Sequence, residues 1–144
     1  MQEMLRYGLM ALFLGFCTWQ DMRTGRISFI VILVFGMVGI GINLLAKCPP
    51  AIVLCSMLPG LGILLFGRMS GEQIGYGDGL VMVVAGLFLK GEGAVSLFLT
   101  GLFLCAVGGI ILYITGKVNR KSALPFLPFL LAGLGVHIVF VCRL

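Results

Sequence analysis

Carboxylates are scarce in this chain: five acidic residues in 144, of which only Asp21 and Asp78 are aspartates. Ten lysines and arginines complete the charge, 10% of residues against 60% hydrophobic. Fifteen charged side chains cannot cover a water-facing surface, and the mean hydropathy of +1.19 places the chain in a bilayer. Also missing is any basic stripe with interleaved aromatics. The net charge of +5 is scattered singly between apolar runs, which excludes a nucleic-acid surface and reads as membrane topology. No CxxC pair occurs among Cys17, Cys48, Cys55, Cys105 and Cys142, and most of these lie inside apolar runs, where a thiol behaves as a small hydrophobe. Neither a zinc site nor a disulfide framework is indicated.

Six apolar runs fill the sequence, at about 4–20, 28–46, 51–67, 78–90, 94–116 and 124–142. Backbone groups in lipid must bond internally, so each run is expected to be a helix. The breaks between them are too short for a soluble domain. The expected fold is therefore all-α, a polytopic membrane bundle of about six helices forming one domain over 1–144. The opening MQEMLRYGLMALFLGFC resembles a signal peptide in charge and hydropathy. It has no clear small-x-small cleavage site, and Phe16 before Cys17 does not suit lipoprotein processing, so a retained first span is expected.

Alternate breaks set the orientation. Breaks one, three and five carry Arg23, Arg26, Arg68, Lys117, Arg120 and Lys121, whereas the ends and other breaks carry Arg6, Lys47, Lys90 and Arg143. This bias puts both termini outside and the GYGD stretch, residues 75–78, on the cytoplasmic side. Glycines such as Gly36, Gly39, Gly41, Gly60 and Gly62 offer close helix approach.

Both aspartates fall at the cytoplasmic ends of apolar spans. From Asp78 to Lys90 a helix rises about 18 Å, and from Arg6 to Asp21 about 22 Å, against a hydrocarbon core of roughly 30 Å. The two carboxylates therefore come out at similar depth, below the membrane surface, although tilt or local thinning absorbs part of the difference. Alone, GYGD reads as a flexible helix start with an interfacial acid, and Asp21 as a boundary residue near Arg23 and Arg26. Together they form a candidate site, because intramembrane acids must face water or a partner. Neighbouring carboxylates share a proton, one acting as base on water while the other donates to a carbonyl oxygen. That is aspartic protease chemistry, with no cofactor or metal. Gly75 and Gly77 leave the backbone beside Asp78 open to an extended substrate.

At these residues the chain resembles the type IV prepilin peptidases, membrane aspartic proteases that include the preflagellin peptidases. GYGD is similar to the family's GxGD motif. DMRTGRIS, residues 21–28, resembles its first motif, and LPFLPFLLAG, residues 124–133, its late Pro-Phe segment with Pro125, Phe126, Pro128 and Phe129. The resemblance implies that Asp21 and Asp78 are the catalytic pair, with Gly75 and Gly77 shaping the approach. It also implies a pilin-like precursor as substrate, cut on the cytoplasmic side just before its hydrophobic segment. Where the family often has Lys two residues after the GxGD aspartate stands Leu80, and where it has Pro-Asn after the isoleucine stand Ser28 and Phe29. The amino-terminal methyltransferase region of larger relatives has no counterpart here, so protease activity without methylation is expected. Presenilin-like proteases share GxGD, but their other aspartate typically follows Tyr, whereas Asp21 follows Gln20, and their Pro-Ala-Leu segment is absent.

A different class stays open: a small ion or solute carrier, or a non-catalytic assembly subunit, with Asp21 and Asp78 as cation or proton sites. His137 and Asn43 are expected to make hydrogen bonds between helices. Glu72 reads as a solvated loop acid that could instead meet a basic leader residue. Trp19 and Tyr113 read as interfacial anchors.

Overall fold

The computed structural model describes residues 2–69, 76–117 and 126–143. Six α-helices follow one another: α1 (Gln2–Thr24), α2 (Phe29–Leu45), α3 (Pro50–Met69), α4 (Tyr76–Phe88), α5 (Glu92–Ile114) and α6 (Leu127–Arg143). There is no strand among the described residues. The helices coincide closely with the six apolar runs. The main difference is that α1 continues through Asp21 to Thr24, where the run was expected to end near residue 20. Of the six, α3 and α5 are long and apolar enough to cross a membrane, while α2, α4 and most of α6 are shorter apolar helices.

Helix α4 is the axis of the bundle. It touches α1, α2, α3 and α5, and α6 bridges α5 to α1. Val81, Met82, Val84, Ala85, Leu87 and Phe88 are all buried, as expected of a helix apolar on every side. Around them pack Met10, Phe13 and Leu14 of α1, Leu97 of α5, and Leu127, Leu130 and Leu134 of α6. Outward faces are also apolar: Leu45 is 87% exposed and Ile114 76%.

Glycines let α3 and α4 approach to backbone contact. A methyl group on Gly60 would strike the backbone nitrogen of Val83, and one on Gly86 the carbonyl of Ser56. On α2, a methyl group on Gly39 would lie 2.9 Å from the Cβ of Leu87, a side-chain contact, whereas Gly41 and Gly62 have open space beside them. Between α5 and α6 the fit is of glycine to aromatic ring: Gly108 receives Phe129, and Gly101 meets Leu130 and Phe126. The Phe126–Phe129 part of the late Pro-Phe segment thus seats α6 on α5, with Pro128 in the first turn of α6, where a missing N–H costs nothing. Pro125 lies outside the described residues.

Polar side chains join the helix ends remote from Asp21. Asn43 donates to the carbonyls of Gly39 at 3.0 Å and Leu87 at 2.7 Å, and its Oδ1 accepts from Arg6 Nη1 at 3.2 Å. This ties α1, α2 and α4 together. Tyr7 and His137 are hydrogen-bonded at 3.3 Å, joining α1 to α6. Both Asn43 and His137 therefore bond between helices, as their sequence settings suggested. Arg6 departs from its reading as a terminal topology charge, being only 1% exposed. It lies on the stripe of α1 that continues through Met10, Phe13 and Cys17, so helical periodicity turns it inward, and Asn43 supplies an acceptor. Its Nε and Nη2 have no hydrogen-bond partner among the described residues.

Candidate active site

At the other end of the bundle, α1 finishes and α4 begins. Gly25, with a φ of 62°, closes α1 by donating its N–H to the Asp21 carbonyl at 2.8 Å, a left-handed cap that glycine makes without steric cost. The chain then folds back over the helix end. Thr24 Oγ1 bonds the carbonyls of Gln20 and Arg26, and the Ser28 N–H donates to Gln20 Oε1 at 3.1 Å. A proline at position 28 would lack that N–H, so Ser28 replaces a rigid turn by a hydrogen-bonded one.

This reversal delivers Ile27 to α4. Its Cδ1 would lie 2.8 Å from a methyl group on Gly77, so the two sequence motifs interlock directly: a side chain at 77 would have to displace the tip of Ile27. Gly75 and Glu72 lie outside the described residues, as do Arg120 and Lys121. Leu80 packs half-buried against the core one turn into α4, a position where a lysine would have to carry its charge out past the neighbouring helices.

Asp21, in the last turns of α1, and Asp78, in the first turn of α4, are thus brought to one end of the bundle. Both are half-buried, and the charge of Asp21 acts on the Asp78 carboxyl. Neither side chain has a hydrogen bond or ion pair with any described residue. The nearby arginine that could have neutralised Asp21 is otherwise engaged: the Arg23 guanidinium lies 5.3 Å from the centre of the Trp19 ring. Helix dipoles also differ at the two carboxylates, since Asp78 sits at the positive start of α4 and Asp21 at the negative end of α1. Such a pair, free of fixed partners and unequal in environment, can hold one proton between two groups.

Cys17 lies one turn before Asp21 on α1 and is fully buried, and Cys105 is partly buried on α5. Sequence reasoning treated both simply as small hydrophobes. It also passed over Gln20 and Ile27. The signal for Ile27 was its place in DMRTGRIS, six residues beyond an intramembrane acid, but only the fold shows which glycine it meets. Among the described residues no group of three or more His, Cys, Asp or Glu side chains is arranged to hold a metal ion.

An all-helical bundle that gathers an acid from DMRTGRIS and an acid from GYGD has a counterpart among known families. Residues 8–112 match the family model described as the type IV leader peptidase family, a span covering both aspartates and stopping before the late Pro-Phe segment. The chain belongs to that family. With membership come, in general terms, a protease of leader-peptidase type and a pilin-like precursor as its substrate. No curated protein and no solved structure matches the chain.

Proposed function

We propose that the protein is a prepilin-type leader peptidase of the cytoplasmic membrane, hydrolysing the leader of pilin-like precursors with Asp21 and Asp78 as an aspartic pair. The observation that carries this reading is that the end of α1 bearing Asp21 and the start of α4 bearing Asp78 are packed together through Ile27 and Gly77, with neither carboxylate bonded to a described residue. A water between the carboxylates gives its proton to the ionised member and attacks the scissile carbonyl. The protonated member donates to the carbonyl oxygen, and the proton returns to the leaving amine as the tetrahedral intermediate collapses. No metal and no cofactor enter these steps.

In this reading the six helices span the bilayer, with termini outside and the aspartates at the cytoplasmic face. The exposed apolar residues of α2, α3 and α5 contact lipid. The substrate backbone enters beside Gly77, and Ile27 moves aside to admit it, a closing and opening of loops of the kind common in proteases.

The test is cleavage of a pilin-like precursor in detergent by purified wild type, Asp21→Asn and Asp78→Asn. Each asparagine variant should insert into the membrane normally and cut no substrate, and a chelator should leave the wild type active. Full activity in either variant, or strict dependence on a divalent metal, overturns the reading in favour of a carrier or assembly role for the aspartates.

A further inference from the structure

The four threonines of the chain are all described, and three of them behave alike. Thr24, Thr100 and Thr115 each donate the side-chain hydroxyl to the carbonyl four residues earlier, at 2.8, 2.8 and 2.9 Å, the usual way a helical threonine satisfies itself. Thr18 does not. Its Oγ1 is buried and has no hydrogen-bond partner among the described residues, the whole residue being only 7% exposed. A buried hydroxyl left unpaired is a cost that a helix carbonyl one turn away could have removed.

Its place on α1 indicates what the hydroxyl serves. Arg6, Met10, Phe13, Leu14, Cys17 and Thr18 form the buried stripe of this helix, and the next position on the stripe is Asp21. Residues three apart on a helix are side-by-side neighbours, with Cβ atoms about 5–6 Å apart. Helical side chains lean back toward the amino terminus, which directs a side chain at position 21 toward the turn that contains Thr18.

We propose that Thr18 is a positioning residue for the aspartic pair: its free hydroxyl hydrogen-bonds the Asp21 carboxyl when the site closes on substrate, fixing the rotamer from which Asp21 addresses the attacking water. The inference rests on the proposed protease reading, and it extends the site by one residue that neither motif contains. Catalytic hydrogen bonds that are long or unmade in a free enzyme commonly tighten in the complex with substrate.

Two substitutions separate this role from packing. Thr18→Val keeps the shape and deletes the hydroxyl; Thr18→Ser keeps the hydroxyl and deletes the methyl group. In precursor cleavage by purified enzyme, Thr18→Val should lose about tenfold or more in kcat with KM within about twofold, the loss expected for one hydrogen bond to a charged group. Thr18→Ser should stay within about threefold of wild type, and the melting temperature of Thr18→Val should not fall. Wild-type kcat in Thr18→Val overturns the proposal, as does a Thr18→Ser variant as impaired as Thr18→Val. Asp21→Asn run in parallel keeps the two failures apart: an active Asp21→Asn sinks the aspartic pair itself, whereas an inactive Asp21→Asn beside a fully active Thr18→Val sinks only the role of Thr18.

Discussion

The side chain of Ile27 stands where a methyl group on Gly77 would have to go, its Cδ1 2.8 Å from that position, so the first aspartate motif and the GYGD motif are physically interlocked. Gly77→Ala should therefore push the end of Ile27 aside and reduce precursor cleavage, with a modest stability cost of about 1 kcal/mol because a flexible side-chain tip rather than backbone must yield. Ile27→Val deletes the very atom that clashes. The double variant should recover a measurable part of the cleavage rate lost in Gly77→Ala, and a double variant no better than the single would disprove the interlock.

Closer contact exists where α3 meets α4, and there the obstruction is backbone. Gly86→Ala, which faces the Ser56 carbonyl, should destabilise by roughly 3 kcal/mol or more or prevent accumulation altogether, since overpacking against main chain cannot be relieved by a rotamer change. Gly62→Ala on α3, with nothing near its added methyl group, should be neutral or gain up to about 1 kcal/mol from helix propensity. Thermal unfolding of the two variants in one detergent makes the comparison, and equal melting temperatures would contradict the packing described.

Removing the Asn43 side chain takes an acceptor from the Arg6 guanidinium and a donor from the Leu87 carbonyl, while the Gly39 carbonyl keeps its place in the backbone ladder of α2. Asn43→Ala should cost about 3 kcal/mol, because a buried charge loses its acceptor. Replacing both partners, as in Arg6→Met with Asn43→Leu, should restore much of that loss, since matched apolar groups need no hydrogen bonds. Specific activity per folded molecule should change little in either case, because this network lies at the opposite end from the aspartates. A double variant less stable than Asn43→Ala would show the network to be worth more than its desolvation cost.

Orientation can be read with a thiol probe. Cys48, partly exposed between α2 and α3, belongs to the end that the proposed topology places outside, while Cys17 is fully buried. In a variant retaining only Cys48, a membrane-impermeant maleimide should label intact cells, and one retaining only Cys17 should stay unlabelled until denatured. Labelling of Cys48 only from the cytoplasmic side would invert the arrangement.

Helix positions were legible in the sequence because each apolar run ends at glycine, proline or charge, and those breaks survive any choice of packing. Which residues face which neighbour was not. With nearly every face apolar, periodicity cannot separate α4, buried all round, from α5, where Phe103 is 68% exposed. The glycines show the same limit: Gly39 and Gly60 press on α4, while Gly41 and Gly62, just as suggestive in sequence, face open space. Arg6 was misread for a related reason, since a positive charge near a chain end looks like a topology signal until the stripe of α1 is followed back to it. The aspartates were found by their scarcity; the hydrogen-bonded reversal through Gln20 and Ser28 that sets Ile27 against Gly77 required the fold.

The bond from Arg6 to Asn43 has a mechanical consequence. It pins α1 about 22 Å from Asp21, the rise of the intervening fifteen residues, and so makes the helix a lever with its fulcrum at the far end. A swing of about 10° around that fulcrum carries the Asp21 turn about 4 Å. Any tilt of α1 about that anchored end is therefore felt least at Asn43 and most at the turn that carries Asp21.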